Sequence, residues 1–279
     1  MDLRSSWRVW LLNSTIMGVI CLIVLIVPWA LENDRLPAQR GFFCNDESIR
    51  HPILPNTVSV VVCGIVSLII VFTMVLLAEV VVLYRKERNE RQLRFFFYTL
   101  IQQNGYWLLG LQTTLILTQI AKYSVGRLRP HFLAVCQIQN LSELCVDPLR
   151  FVKSTEYSCT GPPGEVREAR VSFFSGHSVT ITYCCIYSVL YLQARIGSRT
   201  GHWRGALCVL QSMLVGVALF ICASRVTDYW HHPTDVLTGA AFGVLSATWT
   251  ALVWAGLFSR NKYVKVRCEL PEKSSENMA

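Results

Sequence analysis

The sequence predicts an all-α membrane protein with six transmembrane helices. Apolar residues make up 52% of the 279 residues, and charged residues only 16%. The apolar residues are gathered in runs of about 20, the length that a helix needs to cross the hydrocarbon core. A helix satisfies its own backbone hydrogen bonds in that environment, so runs of this length favour helices.

Six apolar runs are interpreted as membrane spans, and they leave no room for a large soluble domain. In chain order they cover residues 7–31, 54–84, 96–121, 171–194, 203–224 and 234–257. The first run could also be a signal peptide, but it exceeds the 7–15 apolar residues usual for a cleaved one, which favours a retained helix. We therefore expect a membrane domain over residues 1–261 and a disordered polar tail over 262–279.

Charge predicts the orientation of these spans. With the N-terminus inside, the inner segments and the inner end of the second span, which carries Glu79, hold 15 Lys and Arg against 7 Asp and Glu. The outer segments hold 11 of each, so the net charge of +8 lies on the inferred cytosolic side. These charges flank membrane spans and suit lipid headgroups, so we expect membrane lipids and no nucleic acid as partners.

Two long segments, 32–53 and 122–170, are expected on the extracellular or lumenal side. The second contains Asn140-Leu141-Ser142, an acceptor sequence for N-glycosylation. An oxidising compartment favours disulfides among the four cysteines of these segments, which are Cys44, Cys136, Cys145 and Cys159. The sequence leaves the pairing open, although a Cys136–Cys145 bond would close a short loop.

Three clusters lie at the outer ends of the spans: Lys122–Pro130 (KYSVGRLRP), Ser175-Gly176-His177, and Ser224–Asp235 (SRVTDYWHHPTD). The first follows the third span, the second begins the fourth, and the last joins the fifth to the sixth. Counting spans places all three on one side of the membrane in either orientation. We therefore expect them to form one site.

The clusters carry charges that suit a phosphate monoester. Lys122, Arg129 and Arg225 would offset the negative charge that spreads over the phosphoryl oxygens in the transition state. Ser175 and Gly176 begin a helix, where free N–H groups and the helix dipole favour an anion. Taken singly, the cations are equally well explained as interfacial anchors, and Ser-Gly-His as a helix cap.

Two histidines and a carboxylate make the catalytic interpretation the stronger one. Asp235, four residues after His231, can accept a hydrogen bond from one imidazole nitrogen and leave the other nucleophilic. His177, from another helix, could protonate the departing alkoxide and then activate water. The neighbouring His232 is expected to be a helix N-cap or a surface residue.

The spacing of these residues resembles the signature of the type 2 phosphatidate phosphatase superfamily. GRLRPHFLAVC from Gly126, SFFSGHS from Ser172 and RGFFCNDESIRHP from Arg40 resemble, more narrowly, the lipid phosphate phosphatases of animal cells. The likeness covers nearly the whole chain. One position departs from the wider superfamily, which usually has proline where this chain has Phe174.

The resemblance implies six membrane helices, an outward or lumenal site, a phosphohistidine intermediate and no metal or other cofactor. It makes His231 the nucleophile, Asp235 its orienting group and His177 the general acid and base. It also assigns phosphate binding to a set of residues in which Ser224 has a supporting role: Lys122, Arg129, Ser175, Gly176, Arg225 and Ser224.

The expected substrates are lysophosphatidate, phosphatidate, sphingosine 1-phosphate and ceramide 1-phosphate. One alternative keeps the site but changes the substrate to a sugar phosphate or a polyprenyl diphosphate. Another is a non-enzymatic membrane signalling homologue, which would be expected to lack the histidines or cations that this chain retains. We expect a multi-pass protein of the plasma membrane, or of endomembranes with a lumenal site. Homo- and hetero-oligomers are both compatible with the sequence.

Overall fold

The fold is built almost entirely of helices. The structure is a computed structural model, and it describes residues 37–84, 90–197 and 201–259. Its helices, in chain order, are α1 (Val60–Tyr84), α2 (Glu90–Val125), α3 (Phe132–Cys136), α4 (Leu141–Leu144), α5 (Pro163–Glu168), α6 (Gly176–Ile196), α7 (Arg204–Thr227) and α8 (Pro233–Trp249). α8 continues as a π-helical turn over Thr250–Trp254, and 3-10 turns cover Glu47–Ile49 and Gly201–Trp203. Two short strands, β1 (Phe42–Phe43) and β2 (Phe151–Val152), pair antiparallel.

Four of the described helices, α1, α6, α7 and α8 with its π-turn, are long and apolar enough to cross a membrane. The all-α membrane class is therefore confirmed, whereas six spans are not. The predicted third span lies in α2, which is not among the four. The predicted first span and the polar tail lie outside the described residues.

Polar side chains account for the lower hydropathy of α2. Tyr187 on α6 donates its hydroxyl hydrogen to the backbone or side-chain oxygen of buried Gln103, each 3.4 Å away. Asn104 instead donates to Leu100 O one turn earlier, at 2.8 Å. The polar residues of α2 thus bond partly to a neighbouring helix and partly within their own.

α6 is the central helix of the bundle. In its most apolar stretch 67% of the residues are buried, against 22% in α1 and α7 and 33% in α8. α8 approaches it closely at two glycines. A Cβ atom on Gly239 would lie 2.8 Å from Ser175 O, and one on Gly243 would lie 2.7 Å from Val179 O. Only glycine fits at such a backbone contact.

A buried ion pair ties α6 to α1 at the end of the bundle opposite the Ser175 end of α6. Glu79 is 2% exposed, and its carboxylate accepts hydrogen bonds from Arg195 and from the Tyr191 hydroxyl. A charge at this depth is stable only when it is paired and hydrogen-bonded. Glu79 therefore joins two helices and does not reach the surface.

The segments 37–53 and 126–171 form a loop layer with its own apolar core. Phe42, Ile49, Phe132, Cys136 and Val152 are among the side chains buried in it. β1 and β2 join the two segments, with Phe42 opposite Val152. The layer is attached to the bundle next to the first motif, because the Ala38 amide donates to O of Tyr123, near the end of α2, at 3.0 Å.

Two disulfides cross-link the loop layer, Cys44–Cys145 and Cys136–Cys159. The sequence left the pairing open, and the Cys136–Cys145 bond that would close a short loop is not formed. The Cys44 amide donates to Arg150 O at 3.0 Å, next to the paired strands. This contact brings the segment that contains Cys145 close to Cys44. The Thr160 amide donates to Cys136 O at 2.9 Å, which brings Cys159 alongside Cys136. Tertiary strand pairing, not loop length, decides the pairing.

Candidate active site

The three sequence clusters lie together at the end of the bundle that carries the loop layer. The Ser175 amide donates to Asp235 O at 3.1 Å, joining the start of α6 to the start of α8. Lys122, in the last turn of α2, lies beside Gly176, where a Cβ atom would be 3.6 Å from the lysine Nζ. Arg225 is in the last turn of α7. Four helix ends therefore contribute to one location.

His231 lies in the loop between α7 and α8 and is buried. Its Nδ1 is 4.0 Å from Asp235 Oδ2, which is too long for a hydrogen bond. The Ser172 hydroxyl stands between the two side chains, 2.6 Å from Asp235 Oδ2 and 3.4 Å from His231 Nδ1. The direct histidine–carboxylate hydrogen bond expected from the sequence is therefore not made, and Ser172 connects the two groups.

The carboxylate of Asp235 is fully buried and has donors on both oxygens. Arg127 Nη1 donates to Oδ1 at 2.6 Å. Ser172 and the His232 amide, at 3.2 Å, donate to Oδ2. A buried carboxylate is stable only when hydrogen-bonded in this way. Its orientation is consequently fixed by three donors from three segments of the chain.

His232 is the N-cap of α8, one of the two roles that the sequence left open. Its extended backbone, with φ −70° and ψ 152°, precedes Pro233 at the first helical position. The side chain is buried, and its Nε2 is 3.0 Å from Leu128 O. The surface role is therefore wrong.

The surroundings of His231 favour its neutral form. Burial lowers the pKa of this imidazole well below its usual value, and the positive charges of Arg129 and Lys122 lower it further. A neutral imidazole keeps a lone pair on one ring nitrogen, and that lone pair is what a nucleophile requires.

His177 follows the N-cap Ser175 in the first turn of α6, where Ser175 Oγ accepts from the Ser178 amide at 3.4 Å. The backbone of Val58 and Ser59 lies beside the His177 ring. Its Nε2 is buried and has no hydrogen-bond partner among residues 37–84, 90–197 and 201–259. That nitrogen is available for proton transfer.

Arg225 is fully buried and held by side chains from two segments. Ser224 Oγ accepts from its Nε at 3.1 Å, and Asp228 Oδ2 accepts from Nη2 at 3.0 Å. Asn56, in the segment before α1, accepts from Nη1. The adjacent Thr57 donates from its amide and hydroxyl to the Asp228 carboxylate at 2.9 and 2.8 Å. These contacts fix the guanidinium orientation.

Arg129 is buried with its guanidinium over an aromatic ring. Its Cζ is 4.9 Å from the centroid of Trp230, and Nη2 is 3.1 Å from Glu168 Oε1. Nε and Nη1 are buried and find no acceptor within the described part of the chain. Buried donors of this kind favour an anion that supplies acceptor oxygens.

Every catalytic and phosphate-binding residue named from the sequence lies in or beside this location, whereas the glycosylation candidate Asn140 lies in the loop layer before α4. Sequence reasoning missed four residues of the site: Asn56, Arg127, Ser172 and Asp228. Arg127 lies in the first cluster, but its position there did not indicate that it binds Asp235. Asp228 lies three residues after Arg225 on a helix, a spacing that indicates side-chain contact. We found no sequence signal for Asn56 or Ser172. Among the described residues, no cluster of His, Cys, Asp and Glu has the arrangement of a metal site.

Residues 105–258 match the sequence model of the PAP2 superfamily. Phospholipid phosphatase 1 of Rattus norvegicus is 35% identical over 258 residues, covering 91% of this chain and 89% of that protein. Phospholipid phosphatase 2 of Homo sapiens is 35% identical over 248 residues, covering 87% and 83%. Phospholipid phosphatase homolog 1.2 homolog of Caenorhabditis elegans is 37% identical over 248 residues, covering 86% and 71%. No solved structure gives a significant match.

Proposed function

The chain belongs to the PAP2 superfamily and is a phosphatase, and on that premise we propose that it hydrolyses lipid phosphate monoesters in the membrane. The proposed substrates are lysophosphatidate, phosphatidate, sphingosine 1-phosphate and ceramide 1-phosphate. The site lies at the end of an apolar helix bundle, where the phosphate of a membrane-embedded lipid would also lie. The relatives are named phospholipid phosphatases, which favours this substrate class over a sugar phosphate.

One observation carries the proposal. A buried histidine, His231, lies next to a fully hydrogen-bonded carboxylate and among groups that favour its neutral form. A second histidine, His177, lies in the first turn of α6, and its buried Nε2 has no hydrogen-bond partner in the described ranges. A nucleophile and a proton donor on separate segments of the chain are what a two-step phosphoryl transfer requires.

In the first step, His231 Nε2 attacks the phosphorus atom of the substrate. The N–P bond forms with the imidazole lone pair as the P–O bond to the lipid breaks, and the lipid oxygen keeps that electron pair. His177 donates a proton to this oxygen, so the lipid leaves as an alcohol. The phosphate dianion offsets the charge of Lys122 and Arg225, which helps His177 to hold the proton that it donates.

In the second step, water releases the phosphate from the enzyme. His177, now neutral, takes a proton from the water molecule as its oxygen bonds to phosphorus. The N–P bond breaks and its electron pair returns to His231 Nε2. Inorganic phosphate leaves, and both histidines regain their starting protonation states.

Positive side chains supply the electrostatic stabilisation in this mechanism. Arg129 presents two buried donors that have no acceptor among the residues that the structure describes, and Arg225 is held rigidly by Ser224, Asp228 and Asn56. Donors fixed in advance stabilise transition-state charge without reorganising during the reaction. We therefore propose that the reaction does not depend on Mg²⁺.

The proposed site faces the extracellular or lumenal side. Both disulfides lie in the loop layer at the site end of the bundle, and disulfides persist in oxidising compartments. The basic inner segments inferred from the sequence support the same orientation.

The test is phosphate release by detergent-purified protein from a panel of the four lipids, glucose 6-phosphate and a polyprenyl diphosphate, with EDTA present. We expect release from the lipid monoesters to persist in EDTA and to be inhibited by vanadate, which mimics five-coordinate phosphorus. His231→Ala, purified identically, controls for a contaminating phosphatase. Complete loss of activity in EDTA that Mg²⁺ restores would overturn the metal-independent mechanism.

A further inference from the structure

We propose that Ser172 is a positioning residue whose hydroxyl, hydrogen-bonded to Asp235, orients the His231 ring and stabilises its Nδ1–H group. We further propose that Arg127 fixes the Asp235 carboxylate in the orientation that this requires. This inference rests on the proposed function, in which His231 is the nucleophile. Arg127 lies within the first cluster and Ser172 three residues before the second, but the sequence assigned no role to either residue. Both residues are assigned by the geometry alone.

The distances define a relay through the serine hydroxyl. Ser172 Oγ is 2.6 Å from Asp235 Oδ2, a length typical of a hydroxyl that donates to a carboxylate. The hydroxyl hydrogen is therefore directed at Asp235, and a lone pair of the oxygen remains for His231 Nδ1 at 3.4 Å. Since Nδ1 and Oδ2 are 4.0 Å apart, the direct path is too long.

This arrangement fixes the tautomer of His231. An oxygen whose own hydrogen is committed to a carboxylate can only accept from Nδ1, and the Ser172 backbone also forms a hydrogen bond with this ring, so Nδ1 carries the proton. Nε2 is left with the lone pair that attacks phosphorus. As the N–P bond forms, positive charge develops on the ring, and the polarised hydroxyl oxygen stabilises the Nδ1–H group.

Arg127 and Ser172 act as a pair. Arg127 Nη1 donates to the other carboxylate oxygen of Asp235 at 2.6 Å and to Thr234 Oγ1 at 2.7 Å. The Ser172 amide donates to Arg127 O at 2.9 Å, so the two residues are also joined through the backbone. Ser172, which precedes Ser175-Gly176-His177, and Arg127, from the first cluster, thus both bind the carboxylate of Asp235.

The test compares Ser172→Ala with two matched variants. Ser172→Thr keeps the hydroxyl, and Ser178→Ala removes a hydroxyl that is equally buried but has no hydrogen-bond partner within the described residues. We expect Ser172→Ala to lower kcat on lysophosphatidate about 10- to 100-fold with KM nearly unchanged, the effect of one hydrogen bond to a charged group. Ser172→Thr should recover most of the rate, and Ser178→Ala should match the wild type.

A double-mutant cycle separates positioning from a general structural role. If Ser172 acts through Asp235, adding Ser172→Ala to Asp235→Asn slows turnover no further than about twofold beyond Asp235→Asn alone. Losses that multiply would overturn the inference, as would a kcat for Ser172→Ala within about twofold of the wild type. A raised KM with unchanged kcat would instead make Ser172 a phosphate contact and also overturn it.

Arg127→Gln provides a second route should Ser172→Ala fail to fold. Arg127 is partly exposed, so its loss perturbs packing less, and the same fall in kcat and the same coupling to Asp235→Asn are expected. An Arg127→Gln variant with wild-type kcat would overturn the relay. A wild-type protein that releases no phosphate from any lipid defeats the proposed function itself, whereas an active wild type with unaffected variants defeats only this inference.

Discussion

Arg195 on α6 binds both carboxylate oxygens of Glu79 on α1, with Nε–Oε1 and Nη2–Oε2 distances of 2.5 and 2.6 Å. Both side chains are buried, and Tyr191 adds a third hydrogen bond at 2.6 Å. Because the pair lies at the far end of the bundle from the site, its role is to join two helices.

Arg195→Leu should destabilise the protein without impairing chemistry in the molecules that stay folded. Removing one partner leaves a buried charge and costs about 3–5 kcal/mol. We expect a lower melting temperature in detergent and unchanged kcat per folded molecule. Combining it with Glu79→Leu should recover much of the loss, because no unpaired charge then remains. A double variant no more stable than the single one would contradict this account.

His231→Ala and His177→Ala should fail at different steps. With a nitrophenyl phosphate, whose leaving group needs no proton, His177→Ala should release a burst of nitrophenol and retain labelled phosphate, because water is then activated poorly. General acid–base loss slows steady turnover by roughly 10²–10⁴-fold. His231→Ala should give neither a burst nor label. Labelled phosphate on the His231→Ala protein would reverse the two assignments.

The buried state of His231 predicts how stability depends on pH. Its pKa is well below the usual value when folded, so below about pH 6.5 the unfolded chain takes up a proton that the folded protein does not. Because the unfolded state then binds more protons, the free energy of unfolding falls with decreasing pH, by up to about 1.4 kcal/mol per unit for this group. Above that range the group has no effect.

Melting temperatures of the wild type and of His231→Asn, measured at about pH 7.5 and about pH 5.5, test this dependence. The wild type should lose more stability on acidification than the variant. The buried His131 and His232 shift in the same direction and are present in both proteins, so they cancel in the comparison. Parallel losses in the two proteins would show that His231 is protonated in the folded state.

Non-reduced peptide mapping should recover Cys44 linked to Cys145 and Cys136 linked to Cys159. The bonds span 101 and 23 residues, so in the loop-closure account they stabilise by about 5 and about 3 kcal/mol. Replacing Cys44 and Cys145 together by serine should therefore lower the melting temperature more than replacing Cys136 and Cys159. A Cys136–Cys145 peptide would contradict the arrangement of the loop layer.

Asn140→Gln should remove a glycan-sized shift in electrophoretic mobility and leave activity largely intact. Asn140 is exposed just before α4, and its side chain caps no helix, so the substitution disturbs no described contact. Ser142→Thr keeps the acceptor sequence and should keep the shift, whereas Ser142→Ala should lose it. An unshifted wild-type band from a glycosylating host would remove this support for the orientation.

The sequence predicted most of what depends on chain order alone. Apolar run length located α1, α6, α7 and α8, and span counting placed Lys122, His177 and Arg225 at the same end of the bundle. What it could not predict depends on how loops fold over that end. Ser172 stands between His231 and Asp235 because the segment before α6 is hydrogen-bonded to Arg127 O, a contact that no local pattern encodes.

The disulfides illustrate the same limit. The sequence left the pairing open and showed only that a Cys136–Cys145 bond would close a short loop, whereas strand pairing across about a hundred residues brings Cys44 to Cys145. The polar residues of α2 also depend on tertiary contacts. They lower the hydropathy of the helix, yet Gln103 accepts a hydrogen bond from Tyr187 on α6.

The two glycines on α8 determine how closely this helix approaches α6, and thereby the distance between the proposed catalytic groups. Gly239 and Gly243 bring the α8 backbone against α6 just beneath Ser175, so the helices bearing His177 and Asp235 have little freedom to separate. A single added methyl group at position 239 would push the two helices apart and so separate His177, the proposed proton donor, from Asp235. The width of the proposed reaction centre therefore depends on the absence of a side chain at two positions of the helix interface.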